Sequence, residues 1–197
     1  MNRKTAVEIS TDLVRELRAR TGAGVMDCRA ALQQAGGDLD KAAELLRVKG
    51  LATAAKKAGR IATEGLVEAY IHTGGRVGAI VEVNCETDFV ARTEEFKHLA
   101  RDLAMQVTAA APQYVSRESI PADAVDAMRR QFSAELAGKP AAAVDGRLEK
   151  WIQDVALLEQ PFIRDESRHV RDIITEAIAR LGENVQVRRF ARFKLGE

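Results

Sequence analysis

Apolar positions along the chain follow helical spacing at first, then alternate, then return to helical spacing. Leu13, Val14 and Leu17 recur as one face of a short helix that Ser10 or Thr11 can cap. Thr21-Gly22-Ala23-Gly24 breaks that pattern. A second helix carries Met26, Ala30 and Ala31 at helical spacing and stops at Gly36-Gly37. Asp38 can cap a third, with Leu39, Ala42, Ala43 and Leu46 along one side. Three short helices with mostly small apolar residues predict a compact module over residues 1–50, too small to bury a large core.

Residues 51–64 are rich in alanine and basic side chains and read as a helical or frayed connector. A second domain is expected over 65–197. From Gly65 the period becomes two: Val67, Ala69 and Ile71, a turn at Thr73-Gly74-Gly75-Arg76, then Val77, Ala79, Val81, Val83 and Cys85. That pattern predicts a β-hairpin with one buried face. Thr93 then starts an amphipathic helix with Phe96, Leu99, Ala100, Leu103 and Val107 inward. Pro121 opens another through Val125, Met128, Phe132 and Leu136, ended by Gly138-Lys139-Pro140. Leu148, Trp151, Ile152 and Val155 mark a third, and Val170 to Leu181 a fourth with Gly182 as its C-cap. Val185, Val187 and Phe193 suggest a final strand. Helices, hairpin, helices and strand in that order predict an α+β fold, its small antiparallel sheet covered by helices on one side.

Composition narrows the function classes. Lys and Arg total 30 against 29 Asp and Glu, so no basic excess supports direct nucleic-acid binding, although Arg188, Arg189, Arg192 and Lys194 crowd together. Cys28 and Cys85 have no metal-spaced partners, which argues against a disulfide framework and a zinc site and fits a reducing compartment. The opening MNRKTAVEIS lacks the apolar run of a secretory signal, and no stretch approaches the ~20 apolar residues that span a bilayer. A cytoplasmic protein without membrane attachment, cofactor or bound metal is expected.

Little of the chemistry looks catalytic. Gly22-Ala23-Gly24 lacks the further glycine and the Lys-Ser/Thr pair of phosphate loops and follows a helix instead of a strand, so an interhelical turn is the better reading. Cys85, His98 and Asp102 could be assembled as a nucleophile set, with the latter two on one helix face, yet no nucleophile motif surrounds Cys85. A packed strand cysteine explains it better. His72 and His169 read as surface residues. The segment Asn84-Cys85-Glu86-Thr87-Asp88-Phe89-Val90-Ala91-Arg92 stands apart, because Phe89 falls in a connector between strand and helix. Two readings stay open: Phe89 and Val90 as a hydrophobic staple for the next helix, or Phe89 as an exposed aromatic anchor beside an acidic residue.

Several stretches resemble the elongation factor Ts family: LVRELRARTGAGVMDCRAAL at 13–32 with GGDLDKAAELLR after it, VNCETDFVA at 83–91, LLEQPFI at 157–163 and IARLGENVQVRRF at 178–190. Together they cover nearly the whole chain in family order. The resemblance implies that the first fifty residues form a ubiquitin-associated-like three-helix domain. It implies a guanine-nucleotide exchange factor of translation, not an enzyme, whose partner is the GTPase elongation factor Tu. Thr87, Asp88, Phe89 and Val90 would approach the partner's nucleotide site, the ring entering a pocket so that the GTPase's magnesium is dislodged and GDP leaves. Arg18, Val25 and Met26 would dock the N-terminal module on the GTPase domain. Many family members carry two methionines after TGAG, whereas Val25 precedes Met26 here. Longer relatives hold two core subdomains and a helical-hairpin insertion; one core unit and no insertion are expected here, with a second copy supplying the neighbour in a homodimer through the alternating apolar face and exposed edge of the C-terminal strand, Val185 to Phe193. The competing class is a non-catalytic adaptor that uses the three-helix module to bind protein partners, which would leave GDP release unchanged.

Overall fold

The structure, a computed structural model, describes residues 9–197. The first eight residues, which carry most of the segment read as no secretory signal, lie outside it. Two compact units divide the described chain: residues through Ala62 with Ile174–Val185, and Thr63–Ile173 with Gln186–Glu197.

In the first unit Ser10 accepts the Leu13 amide and starts α1 (Thr11–Thr21). Gly22, at φ 67°, ends it in the left-handed conformation that glycine tolerates. Helix α2 (Val25–Gln34) follows, and Asp38 caps α3 (Leu39–Lys57) by accepting the Asp40 and Lys41 amides at 3.0 Å each. The three helices close around Leu17, Cys28, Leu32 and Ala42. The inward face of α2 is Cys28, Ala31 and Leu32; Met26 and Ala30, expected inward, are exposed. Spacing alone allowed either stripe, and the larger Leu32 took the core. The connector adopts its helical option at the start, since α3 runs unbroken through Gly50 to Lys57. Ala177 and Ile178 of α8 (Val170–Leu181) are buried as well. The α8 C-terminus is closed by Gly182, whose carbonyl accepts the Lys57 ammonium.

The second unit is built on β1 (Glu64–Ile71) and β2 (Val77–Cys85), with β5 (Gln186–Lys194) on the other side of β2, all antiparallel. Helix α5 (Glu94–Ala110), capped by Thr93, lies against β1 and β2. It buries Phe96, Leu99, Ala100, Leu103, Ala104 and Val107 on the side where β2 buries Ala79, Val81, Val83 and Cys85. This is an α+β fold in which helices pack a small antiparallel sheet.

One strand face was misassigned from sequence. The register pairs Leu66 with Val83, Glu68 with Val81 and Tyr70 with Ala79, so those β1 residues share the buried side. Val67, Ala69 and Ile71 face outward and are exposed. A one-position offset across the turn exchanges the two faces of a strand, and alternation does not reveal it. Strand β5 holds a second surprise. A register shift opposite Glu82 and Val83 leaves Arg188 out of the pairing, so Val187 points to the core while Phe193, at the same parity, points out. At Gly65, φ is 143° and a β-carbon would lie 2.0 Å from the Val83 carbonyl oxygen, so the hairpin closes only on glycine.

The two helices expected after Pro121 and around Trp151 form a hairpin. Helices α6 (Ala122–Glu135) and α7 (Ala141–Val155) pack together with their own core of Phe132, Leu148 and Ile152. The small β3 (Pro161–Phe162) and β4 (Asp165–His169) pair was not foreseen, because Asp-Glu-Ser-Arg-His carries no apolar alternation. Among the described residues no helix is long and apolar enough to cross a membrane.

Candidate protein-docking site

Strand β2 ends at the fully buried Cys85, and the chain then turns sharply. Thr87 is extended and caps a single helical turn, α4 (Asp88–Ala91), within the stretch the sequence had suggested as a connector. The Thr87 hydroxyl accepts the Val90 amide at 3.4 Å, and its carbonyl accepts the Ala91 amide at 3.3 Å. Four residues cannot sustain a helix alone, so the neighbours must hold it. Val90 and Ala91 are buried. Thr93 donates from its hydroxyl to the Val90 carbonyl at 2.8 Å and accepts the Phe96 amide at 3.3 Å, which ties α4 to the start of α5.

Successive residues of a helical turn point about 100° apart. Burying Val90 therefore turns Phe89 away, and Phe89 is 77% exposed. The staple reading is not supported on that point: Val90 anchors the turn, whereas Phe89 is left largely in solvent. Asp88 pairs with Arg92 at 2.6 Å one turn on, with both side chains mostly exposed. Such a pair contributes only a fraction of a kcal/mol.

Arg18, Val25 and Met26 lie on either side of the Gly22–Gly24 turn in the first unit. All three are exposed, Met26 to 75%. The turn itself is no phosphate loop, because the Gly22 amide already donates to the Arg18 carbonyl at 2.8 Å and closes α1.

The candidate nucleophile set does not assemble. The Cys85 thiol donates to the Thr87 carbonyl at 3.1 Å, and His98 is exposed. Asp102 pairs with Arg164 at 2.8 Å, while burial still pushes its carboxyl above the usual range. His72 is exposed and sits 3.3 Å from the Tyr70 hydroxyl; His169 pairs loosely with Asp172 at 3.7 Å. Among the described residues no group of three His, Cys, Asp or Glu could hold a metal ion.

Sequence reasoning singled out Phe193 of the C-terminal strand for dimer contact but missed the β1 and β2 residues that share its face. On the sheet face away from α5, Val67, Ala69, Ile71, Ile80 and Phe193 are exposed together, crossed by an ion pair between Glu82 and Arg189 at 2.6 Å. The signal was partial: Val67, Ala69 and Ile71 make one parity of β1 wholly apolar while Leu66 and Tyr70 place large residues on the other.

Comparison with known proteins places these features in context. The family model described as "Elongation factor TS" matches residues 40–197. The chain is 58% identical over 195 residues to "Elongation factor Ts" of Carboxydothermus hydrogenoformans, covering 96% of this chain and 90% of that protein. It is 55% identical to the protein of that name from Desulforamulus reducens, with the same coverage. The protein of that name from Thermoanaerobacter sp. strain X514 is 54% identical, with 96% of each chain covered.

Proposed function

The chain belongs to the elongation factor Ts family, and from that membership we propose how its surface performs the exchange. It is a guanine-nucleotide exchange factor for elongation factor Tu in translation. Phe89, presented by the α4 turn, is the wedge: its ring enters a pocket near the partner's nucleotide site, and Thr87, Asp88 and Val90 shape the approach. Displacement there dislodges the magnesium that bridges the GTPase to the nucleotide phosphates, the largest local charge holding GDP. The observation that carries this reading is a large aromatic ring held out in solvent on a turn fixed by buried neighbours.

The factor makes and breaks no covalent bond. It works by binding the nucleotide-free partner better than the nucleotide-bound one, and linkage requires that returning nucleotide weaken the factor's grip in equal measure. The three helices of the N-terminal unit act as a ubiquitin-associated-like module, docking through Arg18, Val25 and Met26. An adaptor role for that module is not favoured by the family. The reading places the protein in the cytoplasm and gives nucleic acid no direct part.

The factor acts as a homodimer through the outer sheet face. Val67, Ile71, Ile80 and Phe193 form an apolar surface on a rigid sheet, and a self-complementary face is what a two-fold dimer uses. The deciding experiment for function is stopped-flow release of fluorescent GDP from the cognate elongation factor Tu. Release should accelerate with this protein present; an unchanged rate would return the adaptor reading.

A further inference from the structure

We propose that Cys85 is a positioning residue for exchange, its buried thiol fixing the turn that presents Phe89. The inference rests on the wedge role given to Phe89 above. Ala79, Val81, Val83 and Cys85 form one buried row on β2, and any small apolar residue would satisfy the packing at its end. A thiol adds a donor. The Cys85 Sγ–H donates to the Thr87 carbonyl at 3.1 Å, and that carbonyl also accepts the Ala91 amide that closes α4. The first peptide group of the turn is thus held from the strand side by the thiol, and from the helix side by Ala91. Thr87 is also the residue whose hydroxyl caps α4 through the Val90 amide, so its orientation sets that of the whole turn. Phe89 has little contact with its own chain and depends on this mount for direction. Thiol hydrogen bonds are weak, so the effect is graded, not absolute. A looser turn must be ordered when the ring enters its pocket, which slows the exchange step and leaves the earlier docking alone.

The test uses the full chain with Cys85→Ala and Cys85→Ser. Serine keeps a donor at the position; alanine does not. Cys85→Ala is expected to lower the saturating rate of GDP release about three- to tenfold, with a half-saturating concentration changed less than about twofold, and Cys85→Ser to recover most of the rate. Hydrogen exchange of the Ala91 amide should quicken in the alanine variant and stay near normal in the serine variant, with no partner present. In a Phe89→Ala background, Cys85→Ala should add almost nothing, because its effect runs through the ring. Full additivity would mean general destabilisation and overturn the proposal, as would an unchanged Ala91 amide or equal losses in both Cys85 variants. If Phe89→Ala alone exchanges normally, the wedge reading fails and the positioning role falls with it. If Phe89→Ala is slow but Cys85→Ala is not, only the positioning role falls.

Discussion

Replacing Phe89 by alanine separates folding from exchange, because the ring's burial divides so unevenly. Fully burying a phenylalanine side chain contributes about 1.5–3 kcal/mol. With Phe89 77% exposed in the free protein, about a quarter of that burial belongs to the fold. Truncation should then lower stability by only about 0.3–0.7 kcal/mol. The remaining three quarters is available to the partner, about 1.2–2.3 kcal/mol, and at about 1.4 kcal/mol per tenfold this predicts a seven- to fiftyfold loss of stimulated release. The assay is stopped-flow release of fluorescent GDP from the cognate GTPase across a range of factor concentrations, with thermal melts alongside. A variant that melts close to the parent but releases GDP about seven to fifty times more slowly fits. Normal release by a folded variant would refute the wedge, and a large loss of melting temperature would show that the ring supports the fold after all.

Other outcomes follow from the same coordinates. Met26→Ser should weaken binding to the GTPase about tenfold without disturbing the melt, since Met26 is 75% exposed at the start of α2; a titration with unchanged affinity would remove it from the docking patch. Ile80→Glu should give a monomer of 21.5 kDa by light scattering, where the parent gives about twice that mass; a monomeric parent with full activity would end the dimer reading. Asp38 is held below the ordinary carboxylate range, chiefly by the Lys41 amide and then by the Lys41 side chain. Its capping contribution is therefore complete above the unfolded-state value and lost as pH falls through the lower folded-state value. Asp38→Asn should keep the cap but flatten that acid-side loss in melts taken at a series of pH values, and an identical pH profile would show that the charge is irrelevant.

Local signals in the sequence determined which elements exist and where most of them stop. Ser10, Asp38, Thr93 and Gly182 were legible because capping is short-range chemistry, decided within three or four residues of the chain. The helix of Phe96 to Val107 was legible because its apolar residues repeat at one period over about three turns. Residues 87–90 could be singled out from their place after a strand and from family resemblance, but not the way they are mounted. That Val90 is buried and Phe89 exposed depends on where Cys85 and Thr93 hold the two ends of a four-residue turn, and no pattern that short carries a period. The faces of the sheet were likewise beyond the sequence. Val67 and Leu66 are equally good strand residues, and only the register against Val83, fixed through the turn, sent Leu66 to the buried side. Tertiary structure therefore decided which apolar residues the fold consumes and which it leaves for a partner, because that choice depends on long-range pairing that alternation cannot encode.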